Sequence, residues 1–261
     1  MQQPDTVSCR SHPWLVAHRG ARDEAPENTR TAFERALSYA IDGIELDVQM
    51  SADRVPVVYH DETLMRICRR RDRVADLPLA SLQQLDWGGW FHADFAGEPL
   101  PTLAQVLDRV ASRTRLMIEI KSSPDLRRSG HVDRLVRQVV RLLPVVSPRL
   151  LPERIFLLSF DAQALRLAHS LAPEWNYVLN IVDQQADAFA AWPTLALDHL
   201  YAVCVRIGKL THELTRWARG RGLRCFTYTC NGPRQVTKAQ AMQVDAILTD
   251  RPKWLSNRLA R

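Results

Sequence analysis

Short apolar runs alternate with longer stretches of helical period along this chain, and the alternation persists to its end. That pattern marks repeated βα units, in which each strand is followed by a helix that packs back on the sheet. Eight runs recur: Trp14 to His18, Gly43 to Val48, Leu116 to Lys121, Ile155 to Phe160, Tyr177 to Val182, Ala202 to Ile207, Cys225 to Thr229 and Ala246 to Thr249. Eight parallel strands in 261 residues point to an α/β fold closed as a (β/α)8 TIM barrel rather than an open sheet. The whole chain, 1–261, reads as one such domain.

Two segments break the repeat. After Ile44-Glu45-Leu46-Asp47-Val48, the turn Ser51-Ala52-Asp53-Arg54 leads straight into Val55-Pro56-Val57-Val58-Tyr59-His60. A parallel crossover takes about a dozen residues or more, so this run must fold back antiparallel as a hairpin. It is expected to return His60 to the level of Glu45 and Asp47. The second segment, from about Glu62 to Pro101, carries Trp87, Trp90, Phe91 and Phe95 before yielding to the helix-like Thr102-Leu103-Ala104-Gln105-Val106-Leu107. Residues 51–101 are therefore expected to form a small insertion after strand two that caps the barrel, its aromatics forming a core of their own.

Composition excludes several function classes. With 46% hydrophobic and 25% charged residues, the chain buries a core without metal or disulfide staples. No window approaches the about 18 uninterrupted apolar residues of a membrane helix, and Met1 to His12 lacks the apolar core of a signal peptide, so a cytoplasmic protein without membrane insertion is expected. The cysteines, Cys9, Cys68, Cys204, Cys225 and Cys230, are odd in number and scattered, as expected of reduced structural thiols. The 35 basic residues include only four lysines and give a net charge of +6. This balance suits anionic ligands, but no basic stripe interleaved with aromatics marks a nucleic-acid surface.

Charged residues at alternate strand positions project to one side. Glu45 and Asp47 therefore point together into the barrel, as do Glu119 and Lys121, while Leu46 and Ile120 face the helices. Three carboxylates at the end of a barrel interior cannot all stay ionised without compensation. Instead of a structural ion-pair layer, a divalent cation is the natural answer, and an all-oxygen donor set suits Mg²⁺ or Ca²⁺. His18-Arg19-Gly20 ends strand one, followed by Pro26-Glu27-Asn28-Thr29, with Thr29 or Asn28 capping the next helix; His60-Asp61 ends the hairpin. A histidine pair is what acid/base cleavage of a phosphate ester wants. Arg19 offers a fixed fork to a phosphate and Lys121 a point charge.

His18-Arg19-Gly20, Pro26-Glu27-Asn28-Thr29, Glu45-Leu46-Asp47-Val48, His60-Asp61, Glu119-Ile120-Lys121, Ser159-Phe160 and Thr249-Asp250-Arg251-Pro252 together resemble the glycerophosphodiester phosphodiesterase family, in its short cytosolic bacterial form. The resemblance runs in order over nearly the whole chain. It implies a barrel with an insertion after strand two and a metal held by Glu45, Asp47 and Glu119. Acid/base chemistry would fall to His18 and His60, and phosphate contacts to Arg19 and Lys121. The implied reaction is hydrolysis of deacylated phospholipids to sn-glycerol 3-phosphate and an alcohol. A lysophospholipase D acting on lysophospholipids is the nearest alternative, with Trp87, Trp90, Phe91 and Phe95 as candidates for an acyl groove. A metal-dependent lyase with Lys121 as base and a non-catalytic binder of phosphorylated polyols are rivals from other classes.

Three departures from the family pattern touch loops rather than the metal or acid/base positions. The stretch Ile67-Cys68-Arg69-Arg70-Arg71-Asp72-Arg73 stands where a Gly-containing loop is common, Tyr228-Thr229-Cys230-Asn231 replaces a Trp-Thr-Val-Asn-like run, and Gln243 stands where Gly is usual. The arginines of the first could steer anionic diesters towards the site.

Overall fold

The computed structural model describes residues 12–146, 151–183 and 198–259. Cys9 and the polar N-terminal stretch up to residue 11 lie outside the described residues, as do residues 184–197, where the fifth unit's helix is expected. Among the described residues nine strands form one sheet: β1 (Trp14–His18), β2 (Gly43–Met50), β3 (Pro56–Val58), β4 (Arg115–Ile120), β5 (Ile155–Ser159), β6 (Asn176–Ile181), β7 (Ala202–Arg206), β8 (Arg224–Tyr228) and β9 (Ala246–Thr249). Eight are parallel and close on themselves, because β1 pairs with β2 on one edge and with β9 on the other. Short β3 is antiparallel to β2, with Val48 opposite Val58. That pairing carries β2 two residues past the end expected for a barrel strand. The Tyr59 amide bonds the Asp47 carbonyl at 3.0 Å, which brings the hairpin back to the carboxylates' level.

Alternation within the strands sorts residues into two cores. Inward-facing Val16, Met117, Phe156, Leu158, Val178, Ala202, Phe226 and Leu248 fill the barrel as an apolar plug. Outward-facing Leu46, Ile118, Leu157, Val203 and Ile247 pack under the helices. The same period places His18, Glu119, Asn180 and Asp250 two residues beyond Val16, Met117, Val178 and Leu248, so the polar layer sits directly on the plug. The helix Leu103–Val110 begins with a reciprocal capping box between Thr102 and Gln105 and buries Leu103, Val106, Leu107 and Val110.

Between β2 and that helix, Val57, Tyr59, Leu64, Ile67, Val74, Leu82, Trp87 and Leu100 form a separate buried cluster. Within it Trp87 stands edge-on to Tyr59 at 5.0 Å, with its indole N–H donated to the Leu82 carbonyl. Phe91 and Phe95 instead pack edge-to-face on each other near the surface. Cys204, Cys225 and Cys230 are buried free thiols and Cys68 is half-buried; burial pushes Cys225 and Cys230 up to about 12, which leaves them inert near neutrality.

The helix Pro233–Ala241 ends in a motif that normally takes glycine. The Val244 amide bonds the Ala239 carbonyl at 3.2 Å while Gln243 holds φ +53°. The helix His212–Arg219 closes the same way, Leu223 to Ala218, but with Gly222 at φ +73°. A side chain in the left-handed region costs about 1 kcal/mol. Gln243→Gly should therefore raise the melting temperature by about 2–4 °C, read by calorimetry. An unchanged or lower value would mean that the Arg219 contact to the Gln243 side chain, lost in the variant, outweighs the strain.

Candidate active site

The C-terminal ends of the barrel strands converge on one polar layer, and the loops between strand and helix complete it. At the end of β1 the chain turns sharply: Arg19 has φ +60° and Gly20 φ +84°. A Cβ on Gly20 would lie 2.8 Å from the Ala32 backbone, so only glycine fits the passage under the next helix. Thr29 caps that helix, its hydroxyl accepting the Ala32 amide at 3.2 Å. This leaves Asn28, at φ +60°, to turn inward: its amide group donates to Asp47 Oδ2 at 2.8 Å and its carbonyl oxygen accepts the Asp47 amide at 3.3 Å.

Glu45, Asp47 and Glu119 each bring a carboxylate oxygen within 4.8 Å of the others, and this is the one such cluster among the described residues. Asp47 and Glu119 are register partners across β2 and β4. Their cations are shared unevenly. Lys121 Nζ reaches Glu119 Oε1 at 2.6 Å and Asp47 Oδ1 at 3.2 Å, and Arg19 Nε lies 3.0 Å from Asp47 Oδ2. Burial alone would push Asp47 up, but Lys121 and Arg19 hold it well below the usual carboxylate range. Glu45 has no lysine or arginine paired with it at such distances among the described residues. It accepts the Arg19 amide at 3.2 Å and faces His18 Nε2 at 3.8 Å. Burial, then the neighbouring Asp47 and Glu119, drive it well above the usual range. A buried carboxylate left under-compensated beside two others, in an all-oxygen donor set, fits a hard divalent cation.

Each histidine is held by a carboxylate. His18 Nδ1 lies 2.6 Å from Asp250 Oδ1, and Asp250 is itself fixed by Asn231 at 2.7 Å. Burial lowers His18, outweighing Asp250, while Asp250 is held down at about 2, its burial offset by His18 and Arg22. His60 Nδ1 lies 2.5 Å from Asp61 Oδ1. The structure thus brings all seven residues singled out from the sequence to one end of the barrel.

Several polar partners had no assigned part in the sequence reading. Buried Glu27 binds Arg19, Arg22 and Arg66 at 2.9, 2.7 and 2.7 Å. Asn180 on β6 donates to Glu119 Oε2 at 3.0 Å. A signal for Asn180 existed: it is the polar residue at an inward position of the otherwise apolar Tyr177 to Val182. Next to Lys121, an open recess of about 560 Å³ is lined by Ser122, Arg127, Phe160, Gln163 and Arg166. Phe160 leans towards Tyr228, ring centroids 6.4 Å apart. No helix among the described residues is long and apolar enough to cross a membrane.

Residues 18–254 match the glycerophosphoryl diester phosphodiesterase family. A glycerophosphodiester phosphodiesterase of Caldanaerobacter subterraneus is 32% identical over 244 residues, spanning 93% of this chain and 96% of the relative. One of Bacillus subtilis is 30% identical, over 91% of this chain and 83% of its own. Among solved structures, a phosphodiesterase of Oleispira antarctica in complex with the product sn-glycerol-3-phosphate superposes with a TM-score of 0.84 at 26% identity, covering 95% of this chain and 97% of that one.

Proposed function

The chain belongs to the glycerophosphoryl diester phosphodiesterase family, and from that premise we propose that it uses a divalent ion to hydrolyse glycerophosphodiesters to sn-glycerol 3-phosphate and an alcohol. The observation that carries this reading is the cluster of three carboxylates, one without a cation, flanked by two carboxylate-held histidines. Glu45, Asp47 and Glu119 would hold Mg²⁺ or Ca²⁺. When bound, that ion would polarise the phosphoryl oxygens and offset charge developing on them. Residues 1–261 act as one barrel domain, with 51–101 as a cap over its mouth.

Arg19 and Lys121 are the substrate-binding cations. Burial would lower both, but Asp47 with Glu27 for Arg19, and Asp47 with Glu119 for Lys121, push them up, so they stay charged at any working pH. His18, with Nδ1 committed to Asp250, keeps Nε2 to accept a proton from the nucleophile, which is water or the neighbouring glycerol hydroxyl. His60, with Nδ1 committed to Asp61, is assigned to protonate the leaving alcohol. A lysophospholipase D would need an acyl groove. Trp87 packs inside the cap's own cluster and Phe91 on Phe95, which favours deacylated substrates.

The test is release of sn-glycerol 3-phosphate from a panel of glycerophosphodiesters by chelator-stripped protein. Turnover should return on adding Mg²⁺ or Ca²⁺. Silence on the panel with turnover of lysophospholipids would select the acylated alternative, and silence on both would overturn the reading.

Electrostatic steering by the cap is a second expectation. Arg70 is paired with Asp72 at 2.8 Å, whereas Arg69 and Arg71 stand exposed. Neutralising both to glutamine should lower kcat/KM about threefold at low ionic strength, with the difference gone by about 0.15 M salt and kcat unchanged. An equal kcat/KM at low salt would rule steering out.

A further inference from the structure

Arg66 lies on the short helical turn Met65–Cys68 of the cap, away from the carboxylate cluster, yet its guanidinium joins two parts of the mouth. Nε donates to Asp61 Oδ2 at 2.6 Å and one terminal nitrogen to Glu27 Oε1 at 2.7 Å. The Trp90 ring lies 5.8 Å from the guanidinium carbon. Asp61 uses its other oxygen on His60 Nδ1 at 2.5 Å. Glu27 is in turn bound by Arg19, whose Nε lies 3.0 Å from Asp47. A continuous polar path therefore runs from His60 through Asp61, Arg66, Glu27 and Arg19 to Asp47.

We propose that Arg66 is a positioning residue for His60: by clasping Asp61 and Glu27 in one planar fork, it locks the Asp61 carboxylate and hence the imidazole against the barrel mouth. The inference rests on the assignment of His60 as the acid. Two observations separate this role from simple structural support. Glu27 already has Arg19 and Arg22, so loss of Arg66 does not leave it without a cation. The hairpin backbone is pinned independently, by the Tyr59 amide on Asp47 and by the Gln49 side-chain amide donating to the Tyr59 and Asp61 carbonyls. What Arg66 alone supplies is the orientation of the Asp61 side chain. A lysine there keeps the charge but lacks the planar fork that fixes the two carboxylates relative to each other.

The experiment compares Arg66→Met, Arg66→Lys, His60→Ala and the double variant His60→Ala/Arg66→Met in steady-state hydrolysis of a glycerophosphodiester. The rise in melting temperature on adding Mg²⁺ or Ca²⁺ is recorded for each. Arg66→Met should lose about 30- to 100-fold in kcat, the scale of a misplaced catalytic group, with KM within about threefold and the ion-induced rise retained. Arg66→Lys should recover part of the loss, and the double variant should be no slower than His60→Ala alone. Arg66→Met within about threefold of wild-type kcat, or a double variant slower than His60→Ala by the full Arg66→Met factor, would overturn the inference. So would loss of the ion response. A slow His60→Ala beside a fast Arg66→Met sinks this inference alone. A wild-type rate for His60→Ala removes the assignment of His60 and this inference with it.

Discussion

Glu45→Ala, Asp47→Ala and Glu119→Ala should each abolish the stabilisation by Mg²⁺ or Ca²⁺ and lower kcat by at least about a thousandfold. The three oxygens lie within 4.8 Å of one another, and the described residues contain no second cluster that could take the ion over. Asp47 and Glu45 should nevertheless differ in the metal-free protein. Asp47 is bound by Lys121, Arg19 and Asn28, so Asp47→Ala leaves buried cations short of a partner and should cost about 3 kcal/mol. Among the described residues, the Glu45 side chain is met only by an amide and a distant imidazole. Glu45→Gln, which keeps the shape and removes the under-compensated charge, should raise the metal-free melting temperature by about 2–4 °C. Thermal melts in chelator and in added ion read both effects. An ion-induced rise of wild-type size in Glu45→Ala would show that Glu45 is not a ligand.

His60→Ala should separate binding of the ion from turnover. His60 stands on the hairpin rather than on a barrel strand, and its partner is Asp61, not one of the three clustered carboxylates. Removing the imidazole should leave the ion-induced rise in melting temperature intact. Loss of a general acid should lower kcat by about 10² to 10⁴. The effect should shrink for substrates whose alcohol is a good leaving group, because such an alcohol departs without a proton. A near wild-type rate on a glycerophosphodiester with a poor leaving group would show that the hairpin does not deliver His60 to the reaction.

The parts of this arrangement that could be read from the chain are those governed by local period and chain length. Alternation put Glu45 with Asp47 and Glu119 with Lys121 on the inner face, and the structure finds them there. The four-residue turn after β2 was too short for a crossover, and β3 is antiparallel as that requires. The aromatics between β3 and the helix Leu103–Val110 were less legible. Trp87 is buried, but Phe91 and Phe95 pack near the surface, because which aromatic reaches a core depends on how the irregular segment folds over itself rather than on spacing.

The pairings that surround these residues had no local signature, even where a residue such as Asn180 stood out within its own strand. Asp250 meets His18 across 232 positions only because β9 closes the barrel on β1. Asn180 meets Glu119 across 61 positions, two strands away. Glu27 and Arg66 meet across 39 through the folding of the segment that follows β3. A single strand determines which way its own side chains face, since successive residues point to opposite sides of a pleated backbone. The sequence alone therefore determined the barrel, the inward carboxylates and the histidines that end β1 and the hairpin. Which carboxylate holds which histidine, and which cation holds which carboxylate, was decided by barrel closure and loop packing, because those contacts join residues whose distance along the chain says nothing about their distance in space.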